Sequence, residues 1–175
     1  VNYQSLGIGP PVKHRVFLSY HHGIDQAYYD AFSRSFHAVY DVIYDNSLER
    51  KIDSDNVDYV IQRIRDNYIA GSSCTIVLVG AKTWGRKYVD WEIKATLDKE
   101  HGLIGVYLPT AARDSSNRIM VPERLFDNIQ SKFAPWYSWQ DITASAGQLE
   151  RCIADAKFRS AALIVNSRER LLRNS

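Results

Sequence analysis

Glu92 follows Tyr88 by four residues in the run Lys82-Thr83-Trp84-Gly85-Arg86-Lys87-Tyr88-Val89-Asp90-Trp91-Glu92-Ile93. At that spacing the two side chains lie one above the other on a helix face, while Val89, Ile93 and Leu97 form a separate apolar stripe turned toward the core. A carboxylate bordering a core stripe needs a partner or a purpose, because acidic side chains seldom leave water without one. An aromatic ring beside it, from Tyr88 or Trp84, and hydroxyls and imidazoles from neighbouring segments would make a site of fixed charge, ring faces and proton donors.

The segment just upstream, Ser73 to Val79, is a nearly unbroken apolar and β-branched run, the signature of a strand buried on both faces. Gly80 ends it. Arg15 to Tyr20 is predicted as the first strand, with Asp25 capping a helix on which Tyr28, Phe32, Phe36 and Val39 recur. Tyr40 to Tyr44 reads as the second strand and Asp45-Asn46-Ser47 as a turn. Ser54 or Asp55 then caps a helix carrying Val57, Val60, Ile61, Ile64 and Tyr68. Leu103 to Leu108 is the fourth strand, ended by Pro109. Strands alternating with helices predict a three-layer, doubly wound parallel α/β sheet of flavodoxin-like type, in the order 2-1-3-4 with a possible fifth strand at Trp136 to Trp139.

Residues 1–13 read as a loose arm and 14–175 as a single domain, within which 109–135 is a loop-rich insertion with a short helix near Pro122. Residues 143–173 are expected to close the fold as a helix or helices, with Leu149, Cys152, Ile153, Ala156 and Phe158 inward and Arg168 to Arg173 as an extension or amphipathic tail. Trp91, nearly opposite the Val89-Ile93-Leu97 stripe, is expected to face outward and mark an interface.

In an open parallel sheet, ligands bind beyond the carboxyl ends of the strands, where the order reverses. The ends of strands one, two and three would collect Ser19, His21, His22, Asp45, Ser47, Thr83, Trp84, Tyr88 and Glu92 there. Each also has a structural reading: Ser19 as a turn cap, the histidines as loop residues, Trp84 as a seal on the sheet end, and Asp45 and Ser47 as turn formers.

Several chemistries are set aside by what is missing. No G-x-G-x-x-G or G-x-x-x-x-G-K-[ST] follows a strand, no G-x-S-x-G elbow occurs, and the histidines lack zinc-ligand spacing. A receiver domain would carry acidic residues after strand one and a phosphoacceptor Asp after strand three, where this chain has Ser19-Tyr20-His21-His22 and Gly80-Ala81. With 175 residues, 45% hydrophobic and 24% charged, the composition is that of an ordinary globular chain. A net charge of +2 with scattered basic residues makes no case for nucleic acid. No apolar run reaches the ~20 residues that span a bilayer. Cys74 and Cys152 read as buried core thiols without a disulfide, which fits a cytoplasmic address.

Arg15-Val16-Phe17-Leu18-Ser19-Tyr20 with Asp25 resembles the first box of TIR domains. Tyr88-x-x-x-Glu92, after a strand and a Thr83-Trp84 turn, resembles their Trp-x-x-x-Glu motif. With the Tyr44-Asp45-Asn46-Ser47-Leu48 turn, the whole is most similar to bacterial TIR-like proteins of the Thoeris anti-phage sensor type, over about residues 14 to 108. In enzymatic members the resemblance implies NAD as substrate rather than bound cofactor, and the helix glutamate, here Glu92, as the residue essential for cleaving the nicotinamide glycosidic bond to make a nucleotide signal. It also implies self-association or a TIR-type protein partner. Two departures stand out: Tyr88 replaces the usual Trp, and the Arg-Asp…Pro-Gly box after strand two is absent. The alternative is a non-catalytic TIR-like adaptor or nucleotide-sensing module.

Overall fold

The computed structural model describes residues 14–43 and 55–175. Five strands, β1 (His14–Ser19), β2 (Tyr40–Ile43), β3 (Cys74–Val79), β4 (Gly102–Tyr107) and β5 (Trp136–Ser138), form one sheet in the order β2-β1-β3-β4-β5. All four pairings are parallel. The helices are α1 (Gln26–Phe36), α2 (Val57–Ile64), α3 (Lys87–Asp98), α4 (Glu123–Gln130), the single-turn α5 (Trp139–Ile142) and α6 (Ala146–Phe158). This is the flavodoxin-like α/β architecture that the alternating sequence predicts.

The period-two geometry of a strand sorts side chains between the two layers. Val16, Leu18, Ile76, Leu78, Ile104 and Val106 pack on one face against Phe32 and Phe36 of α1 and Leu149 and Ile153 of α6. Phe17 points the other way and meets Val60, Ile61 and Ile64 of α2 and Trp91 of α3. Val77, Val79 and Leu103 share that second face with Val89, Ile93 and Leu97 of α3 and Leu125 of α4. The same alternation puts Ser19, two residues beyond Phe17, on the α3 side at the carboxyl end of β1.

Several boundaries and faces differ from the sequence expectation. Helix α1 stops at Phe36, so Val39 is exposed, and Tyr29 rather than Tyr28 is its fully buried tyrosine. Asp25 occupies the first cap position of α1, yet its side chain makes no capping bond. Asn56, not Ser54 or Asp55, caps α2 by accepting the Tyr59 N–H at 3.1 Å. Helix α6 ends at Phe158, whose ring is 89% exposed rather than inward. No helix follows it beyond one 3-10 turn at Ala161–Leu163. Residues 164–175 run instead as an irregular strap over α3 and α4.

The strap overturns the expectation for Trp91. Its indole is only 3% exposed, and its Nε1–H donates to the Leu171 carbonyl at 2.8 Å. The helical wheel sets Trp91 opposite the Val89-Ile93-Leu97 stripe but cannot show that Phe17 of β1, α2 and the strap close around it. Cys74 and Cys152 are free, buried thiols, as their apolar settings suggest, and burial pushes the Cys74 thiol up to about 12.

Gly80 ends β3 under a tight constraint. A Cβ at this position would lie 2.4 Å from both carboxylate oxygens of Asp25, a separation no packed structure tolerates. Gly80→Ala is therefore expected to push Asp25 off the end of β3 and cost roughly 1–3 kcal/mol, the usual range for forcing extra volume into a packed site. Urea unfolding measures it; an unchanged midpoint would mean that the Asp25 contact yields freely.

Candidate functional site

Ser19 and Glu92 meet at the carboxyl end of the sheet. Both are almost wholly removed from water, and the Ser19 hydroxyl donates to Glu92 Oε2 across 73 positions of sequence. Strand alternation aims Ser19 at α3, and the second turn of α3 brings Glu92 to it. Behind the carboxylate, Thr96 Oγ1 donates to the Glu92 carbonyl at 2.9 Å, and the Thr96 and Thr75 hydroxyls lie 2.7 Å apart. Two hydroxyl bridges, one from β1 and one from β3, thus tie this stretch of α3 to the sheet. A hydrogen bond to an ionised carboxylate is shorter and stronger than one between neutral groups, so the pair holds the carboxylate in a definite orientation.

The other residues expected at this edge are divided among different tasks. Thr83 is buried: its Oγ1 accepts the Gly80 N–H at 2.8 Å and donates to the Leu78 carbonyl at 3.3 Å, closing the turn after β3. His21 sets Nδ1 2.8 Å from the His22 carbonyl, and the His22 ring packs against that of Tyr20, tilted by 40° with 4.2 Å between centroids. Tyr88 packs with the α2–α3 cluster and lies 5.1 Å from the Trp91 ring, with the Lys87 ammonium 5.2 Å over its face. Trp84 lines a groove of about 370 Å³ with Met120, Val121, Pro122, Arg168 and Leu171. Asp45 and Ser47 lie outside the described residues. A second concavity, about 440 Å³, opens beyond β4 and β5 between Tyr107, Leu108, Arg113, Ser138 and Trp139. Among the described residues no three His, Cys, Asp or Glu side chains gather as metal ligands.

Two charged features escaped the sequence reading. Asp25 is 1% exposed, and neither of its oxygens has a hydrogen-bond partner. Burial raises its pKa above the ordinary carboxylate value, opposed by the charge of the nearby His21. The second is a buried ion pair between α3 and α4: Arg124 Nε donates to Asp90 Oδ1 at 2.8 Å with both side chains nearly sealed from water. The signal for Asp90 was its place among Val89, Trp91 and Ile93; nothing local marked Arg124 as its partner.

A model of the Thoeris protein ThsB TIR-like domain matches residues 17–113, more than half of the chain. The chain belongs to this family. The matched span runs from Phe17, midway along β1, through β4, holds the Ser19–Glu92 pair and the Asp25–Gly80 contact, and ends before α4. No curated protein matches the chain in sequence. Membership makes this a TIR-like signalling or defence domain. None of its described helices is long and apolar enough to cross a membrane.

Two expectations test this geometry. Ser19→Ala removes the Ser19 hydroxyl bond to Glu92 Oε2 in a buried site, a loss expected to cost ~1–3 kcal/mol in chemical unfolding; an unaltered stability would show that the bond is replaced at no cost. For Asp25, the folded state binds its proton more tightly than the unfolded chain. Stability is accordingly greatest below the unfolded-state value near 3.8 and falls as pH rises through the raised folded-state value. Asp25→Asn removes that loss, so its melting temperature is expected to gain on the parent as pH rises from 4 to 7. A difference independent of pH would contradict the buried, destabilised carboxylate.

Proposed function

We infer that this TIR-like domain cleaves the nicotinamide–ribose bond of NAD, with Glu92 as the group that stabilises positive charge on the ribose, in the service of anti-phage signalling. The observation that carries this reading is the orientation of a buried carboxylate by the Ser19 hydroxyl at the carboxyl end of β1, beside the reversal of strand order between β1 and β3.

The reaction suits a single carboxylate. The nicotinamide ring of NAD is a cationic pyridinium and departs as a neutral molecule, so the leaving group needs no proton. Charge moves instead onto the ribose, which becomes oxocarbenium-like as the bond breaks. A fixed negative charge beside that centre, in surroundings that exclude water, acts without having to reorganise and is worth more than the same charge in bulk solvent. Ser19 serves by holding the carboxylate; Thr75 and Thr96 serve by holding the helix that carries it.

Glu92→Gln keeps the shape of the side chain and removes its charge. Nicotinamide release from NAD is expected to slow by ~10²- to 10³-fold, in turnover rather than in folding. Chromatographic assay of free nicotinamide, with the melting temperature as a control, checks this. Release at the parental rate would end the assignment.

A non-catalytic, nucleotide-sensing or adaptor role is the second reading. It is favoured by how closed the pair is, since Glu92 is only 3% exposed and its partner Ser19 is equally buried. Saturable NAD binding by calorimetry with no nicotinamide released would support it.

A further inference from the structure

The concavity of about 440 Å³ beyond β4 and β5 takes no part in the Ser19–Glu92 pair. In the sheet β3 stands between β1, which carries Ser19, and β4, whose end opens into this pocket. Tyr107 and Arg113 reach it from the segment leaving β4, and Trp139, Gln140 and Asp141 from the single turn that follows β5. Those last three residues lie beyond the span matched by the family, residues 17–113, so membership says nothing about this half of the pocket.

The aromatic members are set by the fold. The Trp136 ring lies over Gly105, where a Cβ would come within 2.5 Å of it, and packs against Tyr107 with 5.3 Å between ring centroids. Trp139 stands edge-on to Tyr28 of α1, at 5.1 Å and 79°. The loop bearing Arg113 is closed by a bridge between Arg113 and Ile119 and by Asp114, which accepts the Ser116 and Arg118 N–H groups at 2.8 and 3.0 Å. Arg113 Nη1 donates to the Asn117 carbonyl at 2.8 Å, which fixes one arm of the guanidinium and leaves the rest of its five-donor fork to spare. Among the described residues, the Trp139 indole N–H, the Gln140 amide and the Asp141 carboxylate have no hydrogen-bond partner. The fold therefore positions these groups without consuming them, and a pocket of this volume is in the range of small-molecule sites.

We propose that this pocket binds a nucleoside monophosphate, at a site separate from the Glu92 carboxylate. A ligand that engages all of its groups carries a planar ring, an anion and hydroxyls in one molecule. The base stacks on the aromatic members, a contact that every base can make because each has a π-face. The phosphate meets the guanidinium fork of Arg113, whose geometry suits two phosphate oxygens at once. Asp141 accepts from the ribose hydroxyls, as acidic residues do in dinucleotide-binding folds, and Gln140 and the Trp139 N–H serve the polar edge of the base. Arg113 and Asp141 carry opposite charges, so the pocket has no net attraction for a bare anion. Inorganic phosphate uses Arg113 alone and meets the Asp141 charge; a nucleoside leaves Arg113 idle.

Calorimetry on the full chain with AMP, GMP, CMP and UMP, and with adenosine and inorganic phosphate beside them, tests this. Saturable binding of at least one nucleotide is expected, with adenosine and phosphate each weaker by roughly tenfold or more, the usual worth of one charge-assisted hydrogen bond. Arg113→Gln is expected to weaken the nucleotide by a similar factor and leave adenosine unchanged; Asp141→Ala is expected to weaken both. Glu92→Gln is expected to bind the nucleotide as the parent does, and Arg113→Gln to release nicotinamide from NAD as the parent does, so that this assignment and the catalytic one fail separately. A second measurement needs no variant. In the nitrogen–proton spectrum of the parent, the bound nucleotide is expected to shift the assigned Trp139 indole signal and leave that of Trp91 in place. Absence of saturable binding by all four nucleotides at low millimolar concentration overturns the proposal. So does binding that Glu92→Gln weakens and Arg113→Gln does not, or a nucleotide that shifts the Trp84 indole and not that of Trp139.

Discussion

A guanidinium and a carboxylate removed from water are a liability unless every polar atom finds a partner, and the Arg124–Asp90 pair shows how this fold meets that condition. Two nitrogens of Arg124 bind Asp90, while a third reaches Asn166 and the Glu169 carbonyl takes a further bond. Asp90 accepts the Leu171 N–H as well. Three of these five bonds involve the strap, so the contact between α3 and α4 and the course of residues 164–175 depend on one another. Remove the strap, and the pair becomes a partly unpaired charge cluster between two helices.

Helix α3 is where that dependence bears on function. It is held by the sheet through Val89, Ile93 and Leu97, by α2 through Trp91 and Ala95, by α4 through Asp90, and by the strap along its remaining side. Glu92 rides on the same helix, and its bond to Ser19 tolerates little movement, because hydrogen bonds weaken steeply as distance and angle depart from their optimum. The surface covered by the strap and the edge occupied by the carboxylate therefore share one rigid element.

The strands were legible because burial on both faces leaves a plain mark: Cys74 to Val79 contains no charged residue, and all six positions are buried. The pairing of Ser19 with Glu92 at one edge followed from topology, since parallel strands bring their carboxyl ends together. The separate employment of Thr83, Trp84 and Tyr88 did not follow. A hydroxyl after a strand is able to meet a ligand or a backbone amide, and the Thr83 hydroxyl meets the Gly80 N–H and the Leu78 carbonyl. Asp25 was read as a cap because acidic residues before helices usually are caps; its oxygens instead lie against Gly80, a contact between positions 55 residues apart.

The sequence by itself determined the layered α/β class, the strand order and the helix that bears Glu92, because periodicity and chain connectivity are local or near-local properties. Tertiary structure alone decided that Trp91 is covered, that Asp90 has Arg124 for a partner, and that the last dozen residues form a strap rather than a helix. The physical reason is that side-chain pattern shows which face of an element leaves the sheet but not what meets that face. In this chain, the carbonyl that meets the Trp91 indole comes from Leu171, 80 residues further along, through a hydrogen bond that no apolar period announces.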